Sequence, residues 1–240
     1  MLKSFSFKSL ALIPFTLMSL TTFANEVSEK SYHDFDPYSL TPSEAALEIT
    51  SSANLDKTLQ SLDLSKYDYV DPKKLIPENL KLEALQYYEA NYDKIPNKDT
   101  LIVVDFKAHS SKKRQYVIDM RSGDVNPMLV THGKNSDRNN DGYATDFSNT
   151  VDSKQSSLGF YLTAESYSGK FGYSLRLDGL SATTSKVRER AIVIHPADYV
   201  VDNGKKIGRS WGCLAVDPKL SKSYIDRVKD GVLILAGLGK

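Results

Sequence analysis

The chain has 240 residues, 40% of them hydrophobic, enough for a proper core in one large domain or one domain with an appendage. Its 31 basic and 30 acidic side chains leave a formal net charge of +1, which argues against the basic stripe of a nucleic-acid-binding protein. A single cysteine excludes intrachain disulfides, so packing must hold the fold together.

The N-terminus reads as an export signal. Lys3 and Lys8 give a positive start, Ser9 to Leu20 is mostly apolar, and Thr22-Phe23-Ala24 offers small residues for cleavage after Ala24. The apolar core is too short to span a bilayer comfortably, and no later segment approaches about 18 uncharged apolar residues. No cysteine follows it to carry a lipid anchor. The expectation is a periplasmic or secreted protein, not stably inserted in a membrane once residues 1–24 are removed.

Residues 25–98 form the next expected unit, a helical lead-in. Residues 25–40 are polar and acidic, with three aromatics. Pro42-Ser43-Glu44 before Ala45, Ala46, Leu47 and Ile49 suggests one helix start. Pro77, followed by Leu82, Leu85, Tyr88 and Tyr92 at helical spacing, predicts a second helix with that stripe as its packing surface. Ile95-Pro96-Asn97-Lys98-Asp99 then punctuates the chain.

From residue 99 to 240 the pattern changes to short β-rich runs. Strands are predicted at Leu101–Phe106, Arg114–Met120, Val125–Thr131, Leu158–Thr163, Tyr173–Leu177, Ala191–His195, Cys213–Val216 and Val232–Leu235. Arg121-Ser122-Gly123-Asp124 reads as a hairpin turn. One helix is predicted between the last two strands, capped by Asp217, opened by Pro218 and ended by Gly231. The fold class is therefore mainly β with flanking helices.

An unpaired cysteine in an exported chain is either an intermolecular bridge or a reactive thiol. Cys213 lies in the run Gly208-Arg209-Ser210-Trp211-Gly212-Cys213, and His195 precedes it by 18 residues at the end of an apolar run. An imidazole that takes the thiol proton creates the nucleophilic thiolate near neutral pH. If the two predicted strands are neighbours, with Asp202-Asn203-Gly204 as a turn between them, their facing ends bring base and nucleophile together. Gly212 admits backbone geometries closed to other residues and lets an acyl group approach backbone N–H donors of an oxyanion hole.

His195, fourteen intervening residues, and then Ser210-Trp211-Gly212-Cys213 resemble the signature of the L,D-transpeptidases of bacterial cell walls. The chain is most similar to the murein L,D-transpeptidase catalytic-domain-like branch. His132-Gly133-Lys134-Asn135-Ser136, Phe147-Ser148-Asn149, Ser156-Ser157-Leu158-Gly159-Phe160-Tyr161, Gly172-Tyr173-Ser174-Leu175-Arg176-Leu177 and His195-Pro196-Ala197-Asp198-Tyr199-Val200 extend the match. The resemblance implies a β-sandwich-like catalytic domain with Cys213 as nucleophile and His195 as general base. It implies a peptidoglycan stem peptide as substrate, a Cys213 thioester as intermediate and no metal or organic cofactor. The acyl acceptor is then a neighbouring stem amine or a protein side chain. Water as acceptor makes the enzyme an L,D-carboxypeptidase or endopeptidase, and a non-catalytic wall-binding protein is the alternative outside enzymology.

Two departures from the family pattern bear on substrate. The usual histidine before Gly-Cys is Trp211, which the closer branch shares, and the arginine usual two residues after the cysteine is Ala215. Arg209 and Arg176 are the candidate cations to grip a substrate carboxylate in a bidentate fork. Pro196 and Leu214 stand where the branch has glycine and proline. Trp211 is a candidate wall for sugar or peptide, or simple packing, and Tyr161 joins the candidate substrate-binding set. Ser210 is a candidate to bond His195 or its own loop. His132 has two roles open to it, lining the pocket or orienting His195, and a plain turn histidine. Asp137-Arg138-Asn139-Asn140-Asp141-Gly142-Tyr143 matches the start of a calcium loop, but position twelve is Ser148 instead of glutamate, so the expectation is a surface loop.

Overall fold

Strand positions in the chain's centre are apolar on both faces because both faces are covered. The computed structural model describes residues 62–240 and Ala46, all within one unit, Pro37–Lys240. The export signal, the polar lead-in and most of the first expected helix lie outside the described residues; Ala46 itself is helical and buried.

Eight strands form one sheet: β1 (Thr100–Asp105), β2 (Gln115–Asp119), β3 (Val125–Met128), β4 (Gly159–Gly169), β5 (Gly172–Gly179), β6 (Val193–Pro196), β7 (Leu214–Val216) and β8 (Leu233–Gly237). Their order across the sheet is β3-β2-β1-β8-β4-β5-β6-β7. Each predicted strand is present, and β4 and β5 run longer than their apolar cores, as a hairpin closed by Lys170 and Phe171. The β2–β3 turn contains Gly123 at φ +80°, where an added Cβ would stand 2.2 Å from the Tyr69 carbonyl oxygen. The fold is thus mainly β with flanking helices, as expected.

Alternation divides the core. Ile102 and Val104 of β1, Leu175 and Leu177 of β5, Ile194, Leu214, Val216, Ile234 and Ala236 pack against Tyr224, Ile225 and Val228 of α2 (Pro218–Val228). Leu101, Val103, Ile118, Phe160, Leu162, Leu233 and Leu235 pack on the other face against α1 (Glu78–Ala90). Period-2 alternation sends neighbouring residues to opposite faces, so strands covered twice read as unbroken apolar runs. Asp217 caps α2 by accepting the Lys219 N–H at 2.9 Å, with Pro218 at the first helical position.

The expected packing stripe of α1 is only half right. Leu85 and Tyr88 are buried, whereas Leu82 and Tyr92 are 45% and 42% exposed. The buried face runs through Leu80, Ala84 and Tyr87 instead. Tyr87 stacks on Phe160 of β4 at 3.7 Å between ring centroids, and this contact sets the helix's rotation.

Candidate active site

His195 lies in β6, and Cys213 immediately precedes β7, the last two strands in the order across the sheet. β6 and β7 pair in parallel, with Ile194 opposite Leu214, His195 opposite Ala215 and Pro196 opposite Val216. Extending that register one step sets Cys213 beside Val193, two positions from His195 on the same sheet face. The expected meeting of facing strand ends is corrected here. A parallel pair needs a crossover, and residues 197–212 supply it, so the two residues lie on neighbouring segments and not across a hairpin.

The loop that carries Cys213 is held by two hydroxyls. Ser210 Oγ donates to the Cys213 carbonyl at 2.8 Å and accepts the Gly212 N–H at 3.0 Å. Thr131 Oγ1 donates to the same Cys213 carbonyl at 3.1 Å and accepts the Ala215 N–H at 3.0 Å. Ser210 therefore bonds the loop backbone, and the Gly212 N–H is already engaged. The backbone N–H groups of Val193 and Cys213 bear on the thiol and favour its ionised form.

Cys213 is half-buried, and its thiol donates to the Ala191 carbonyl at 3.7 Å. Burial raises the thiol pKa, while the Val193 N–H and then the Arg190 guanidinium act to lower it. His195 Nδ1 lies 2.8 Å from the Pro196 carbonyl, an acceptor only, so Nδ1 carries the proton and Nε2 the lone pair. Burial lowers the imidazole pKa, against the opposing Pro196 hydrogen bond, and keeps the ring neutral. Phe171, at the tip of the β4–β5 hairpin, stacks on His195 with centroids 4.4 Å apart. No hydrogen bond joins Cys213 and His195 among the described residues.

The other sequence candidates divide by position. Arg176 pairs with Glu165 at 3.0 Å and lies over the Tyr167 ring at 4.2 Å; its β-partner is Val193, beside the thiol. Arg209 is bound to the carbonyls of Lys134 and Asp137. Trp211 is 67% exposed, with Lys154 Nζ 4.6 Å from its ring centroid. Tyr161 is buried with its hydroxyl on the Ser157 carbonyl at 2.7 Å, so it packs the core and presents no face to a substrate. Gly212 has φ +120°, and an added Cβ would stand 2.7 Å from the Gln155 carbonyl oxygen and 2.8 Å from Ile192 Cδ1. Gly212→Ala is expected to displace the loop, costing at least tenfold in any Cys213-dependent turnover and about 1–3 kcal/mol in strain. Wild-type turnover with an unchanged melting curve would refute this reading of the loop.

His132 neither lines a pocket with His195 nor bonds it. It is buried, with Nδ1 accepting from Arg114 Nη2 at 2.8 Å and Nε2–H donating to Asp137 at 3.2 Å. Its carbonyl accepts the Ser210 N–H at 2.9 Å, so it backs the nucleophile loop. The Asp137 carboxylate also accepts the N–H groups of Asp141 and Gly142, both at 3.0 Å. The calcium-like sequence is thus an Asx-bonded loop whose first carboxylate is already engaged.

Burial, followed by the Arg114 charge, pushes the His132 pKa down to about 4 from 6.5. A depressed histidine pKa means the unfolded chain binds more protons between those values. Stability from this group is therefore complete above about pH 6.5 and lost as pH falls toward 4. The loss expected is on the order of 2–3 kcal/mol, at about 1.4 kcal/mol per unit. Burial of His195 acts in the same direction. Urea midpoints that stay flat from pH 7 to 4.5 would contradict it.

Thr131, Arg114, Arg190, Tyr167 and Phe171 were missed in the sequence. None sits in a local pattern with Cys213; strand order and loop packing bring them there. The fully buried Arg114 had one usable signal, a charged residue at the opening of a predicted strand.

The profile of the L,D-transpeptidase catalytic domain family matches residues 72–236, and the chain belongs to that family. The matched span takes in α1 as well as the sheet up to Ala236, the penultimate residue of β8. Among solved structures, the chain is similar to an L,D-transpeptidase from Mycobacterium smegmatis, at 16% identity and TM-score 0.37, over 58% of each chain. It is also similar to L,D-transpeptidase 1 of Mycobacterium tuberculosis, at 15% identity and TM-score 0.35, over 58% of this chain and 61% of that one. The helical cell shape determining protein Pgp2 from Campylobacter jejuni matches at 15% identity and TM-score 0.37, over 61% of this chain and 50% of that one. The chain thus spans less than two thirds of each of these proteins, and the family profile alone carries the assignment. No curated protein matches the sequence significantly. No helix among the described residues is long and apolar enough to cross a membrane.

Proposed function

We propose that this protein is an exported cysteine L,D-transpeptidase acting on peptidoglycan stem peptides, with Cys213 as nucleophile and His195 as general base. The observation that supports the proposal is the β6–β7 pairing, which brings His195 of β6 and Cys213, just before β7, onto neighbouring segments, with the His195 Nε2 lone pair free of the Pro196 bond. Family membership supplies the reaction class.

The thiol swings from the Ala191 carbonyl toward Nε2, which takes its proton. Apo catalytic contacts are commonly looser than those of the substrate complex. The thiolate then attacks the carbonyl joining an L-configured centre to a D-residue. The Cys213 and Val193 N–H groups receive the oxyanion, and the imidazolium returns the proton to the leaving D-residue amine. A thioester remains. An acceptor amine attacks it, losing its proton to His195 and releasing the thiol. Residues 1–24 act as the export signal, residues 25–98 as a lead-in and residues 99–240 as the catalytic domain.

Incubating the purified mature protein with defined muropeptides tests this reading. Cross-linked dimers are the expected product. Trimmed monomers would instead make it an L,D-carboxypeptidase or endopeptidase, and unchanged material would favour a non-catalytic wall-binding protein. A carbapenem is expected to add once to Cys213, seen as a mass increase on the intact chain.

A further inference from the structure

The family's usual arginine beyond the cysteine is Ala215 here, and that residue is fully buried in a small apolar cluster with Leu129, Ala197, Val200 and Ile207. With no cation two residues beyond Cys213, any positive charge that bears on the thiol comes from another segment. Arg209 is committed to the 134–137 loop, and Arg176 to Glu165 and the Tyr167 face.

Arg190 stands on the other side of the nucleophile loop. Its guanidinium donates from Nη1 to the Ser148 carbonyl at 2.8 Å and Ser157 Oγ at 2.6 Å. From Nη2 it donates to Ser153 Oγ at 3.2 Å and the Gln155 carbonyl at 2.5 Å. Those four bonds clamp the 148–157 segment. The same Nη2 lies 3.3 Å from where a Cβ on Gly212 would stand, and the Gln155 carbonyl lies 2.7 Å from it, so the clamped segment is packed directly on the residue before Cys213. Ala191, next in sequence, adopts φ +50°, a left-handed conformation that L-residues avoid, and its carbonyl accepts the thiol. That strained turn places the guanidinium and the thiol acceptor on consecutive residues.

We propose that Arg190 is the positioning cation of this site: held by its four bonds against Gly212, it stabilises the Cys213 thiolate through space and fixes the loop that carries it. The inference rests on Cys213 being the nucleophile. With both terminal nitrogens occupied, Arg190 acts on the thiol by charge and place, while substrate contacts fall to other groups. The titratable groups bearing on the thiol are Arg190, Tyr167 from β4 and Tyr199 from the crossover, with His195 on the adjoining strand. Burial raises the pKa of both phenols, so they are neutral at neutral pH, whereas Arg190 is charged. A cation near a thiolate lowers the pH at which it forms.

Because Cys213 is the only cysteine, the rate of iodoacetamide alkylation of the full mature chain against pH reads this thiol alone. Arg190→Gln is expected to move the midpoint up by about one pH unit and slow alkylation at pH 7 about tenfold. Arg190→Lys, which keeps the charge, is expected to hold the wild-type midpoint even if the clamp loosens and melting falls. An Arg190→Gln midpoint equal to wild type, or an Arg190→Lys midpoint raised as far as that of Arg190→Gln, would overturn the assignment. If Arg190→Gln does not fold, Arg190→Lys decides alone: an unchanged midpoint upholds the role and a raised one ends it. These midpoints need no substrate, so an inert response to muropeptides refutes the proposed function without touching the Arg190 comparison.

Discussion

Cys213→Ala is expected to abolish the covalent carbapenem adduct and all processing of muropeptides, with melting behaviour close to wild type. The side chain is half-buried and packs at the margin of the core, so removing one sulfur atom leaves the strands in register. His195→Gln is expected to leave the thiol in place and slow acylation by about 10²–10⁴, the usual contribution of a general base. The two variants separate the roles: the first gives no adduct at any time, the second a slow adduct whose rate rises with pH as the thiol ionises unaided. Single-turnover acylation followed by intact-mass measurement reads both. An adduct on Cys213→Ala, or a His195→Gln rate within threefold of wild type, would remove the corresponding residue from the mechanism.

The second large effect lies beneath the site. Arg114 has no exposed surface and donates to the Val130 carbonyl from Nε and Nη2, at 3.1 and 3.0 Å, to the Ala108 carbonyl at 2.8 Å and to His132 at 2.8 Å. Burial pushes its pKa down to about 10, while the charges of Asp105 and Asp137 oppose that fall. Arg114→Leu removes the cation, orphans two carbonyls and leaves Asp137 without its counter-charge. Breaking a buried charge arrangement by deleting one partner costs about 3–5 kcal/mol. For a chain of this size that corresponds to a melting temperature lower by roughly 10 °C. Because the His132 carbonyl also accepts the Ser210 N–H, the loop that carries Cys213 is expected to loosen with it. A variant melting within about 2 °C of wild type would show that the buried guanidinium is dispensable.

Local rules made most of the sheet legible. Apolar runs bounded by turn residues marked all eight strands, and Asp217-Pro218 marked the start of α2, because each depends on neighbours within a few residues. What escaped was decided over long distances. Strand order places β8 between β1 and β4, and no local pattern distinguishes that from an edge. The parallel β6–β7 pairing was hidden because Asp202-Asn203-Gly204 carries a turn signal inside what is a crossover. The face of α1 was misread because Leu82 and Tyr92 fit helical spacing, while the stacking of Tyr87 on Phe160 chose the rotation. In the candidate site, the thiol and imidazole were visible because the single cysteine and the histidine 18 residues before it stand in recognisable local runs. Thr131 and Arg190 were not, since a threonine after a strand and an arginine in a charged run are ordinary until the fold sets them beside Cys213.

The placement of β8 also governs the order in which the molecule can be made. The strand is buried throughout except Gly237, and it pairs with β1 on one side and β4 on the other. Until residues 233–237 emerge, the β1–β3 meander and the β4–β7 group are two half-sheets, each presenting an unpaired apolar edge. Pairing across such sequence separation is slow, so the joining of the two half-sheets through β8 is expected to be a late step in folding. The same feature makes the C-terminal strand the place where a small deletion would yield two sticky fragments in place of a weakened whole.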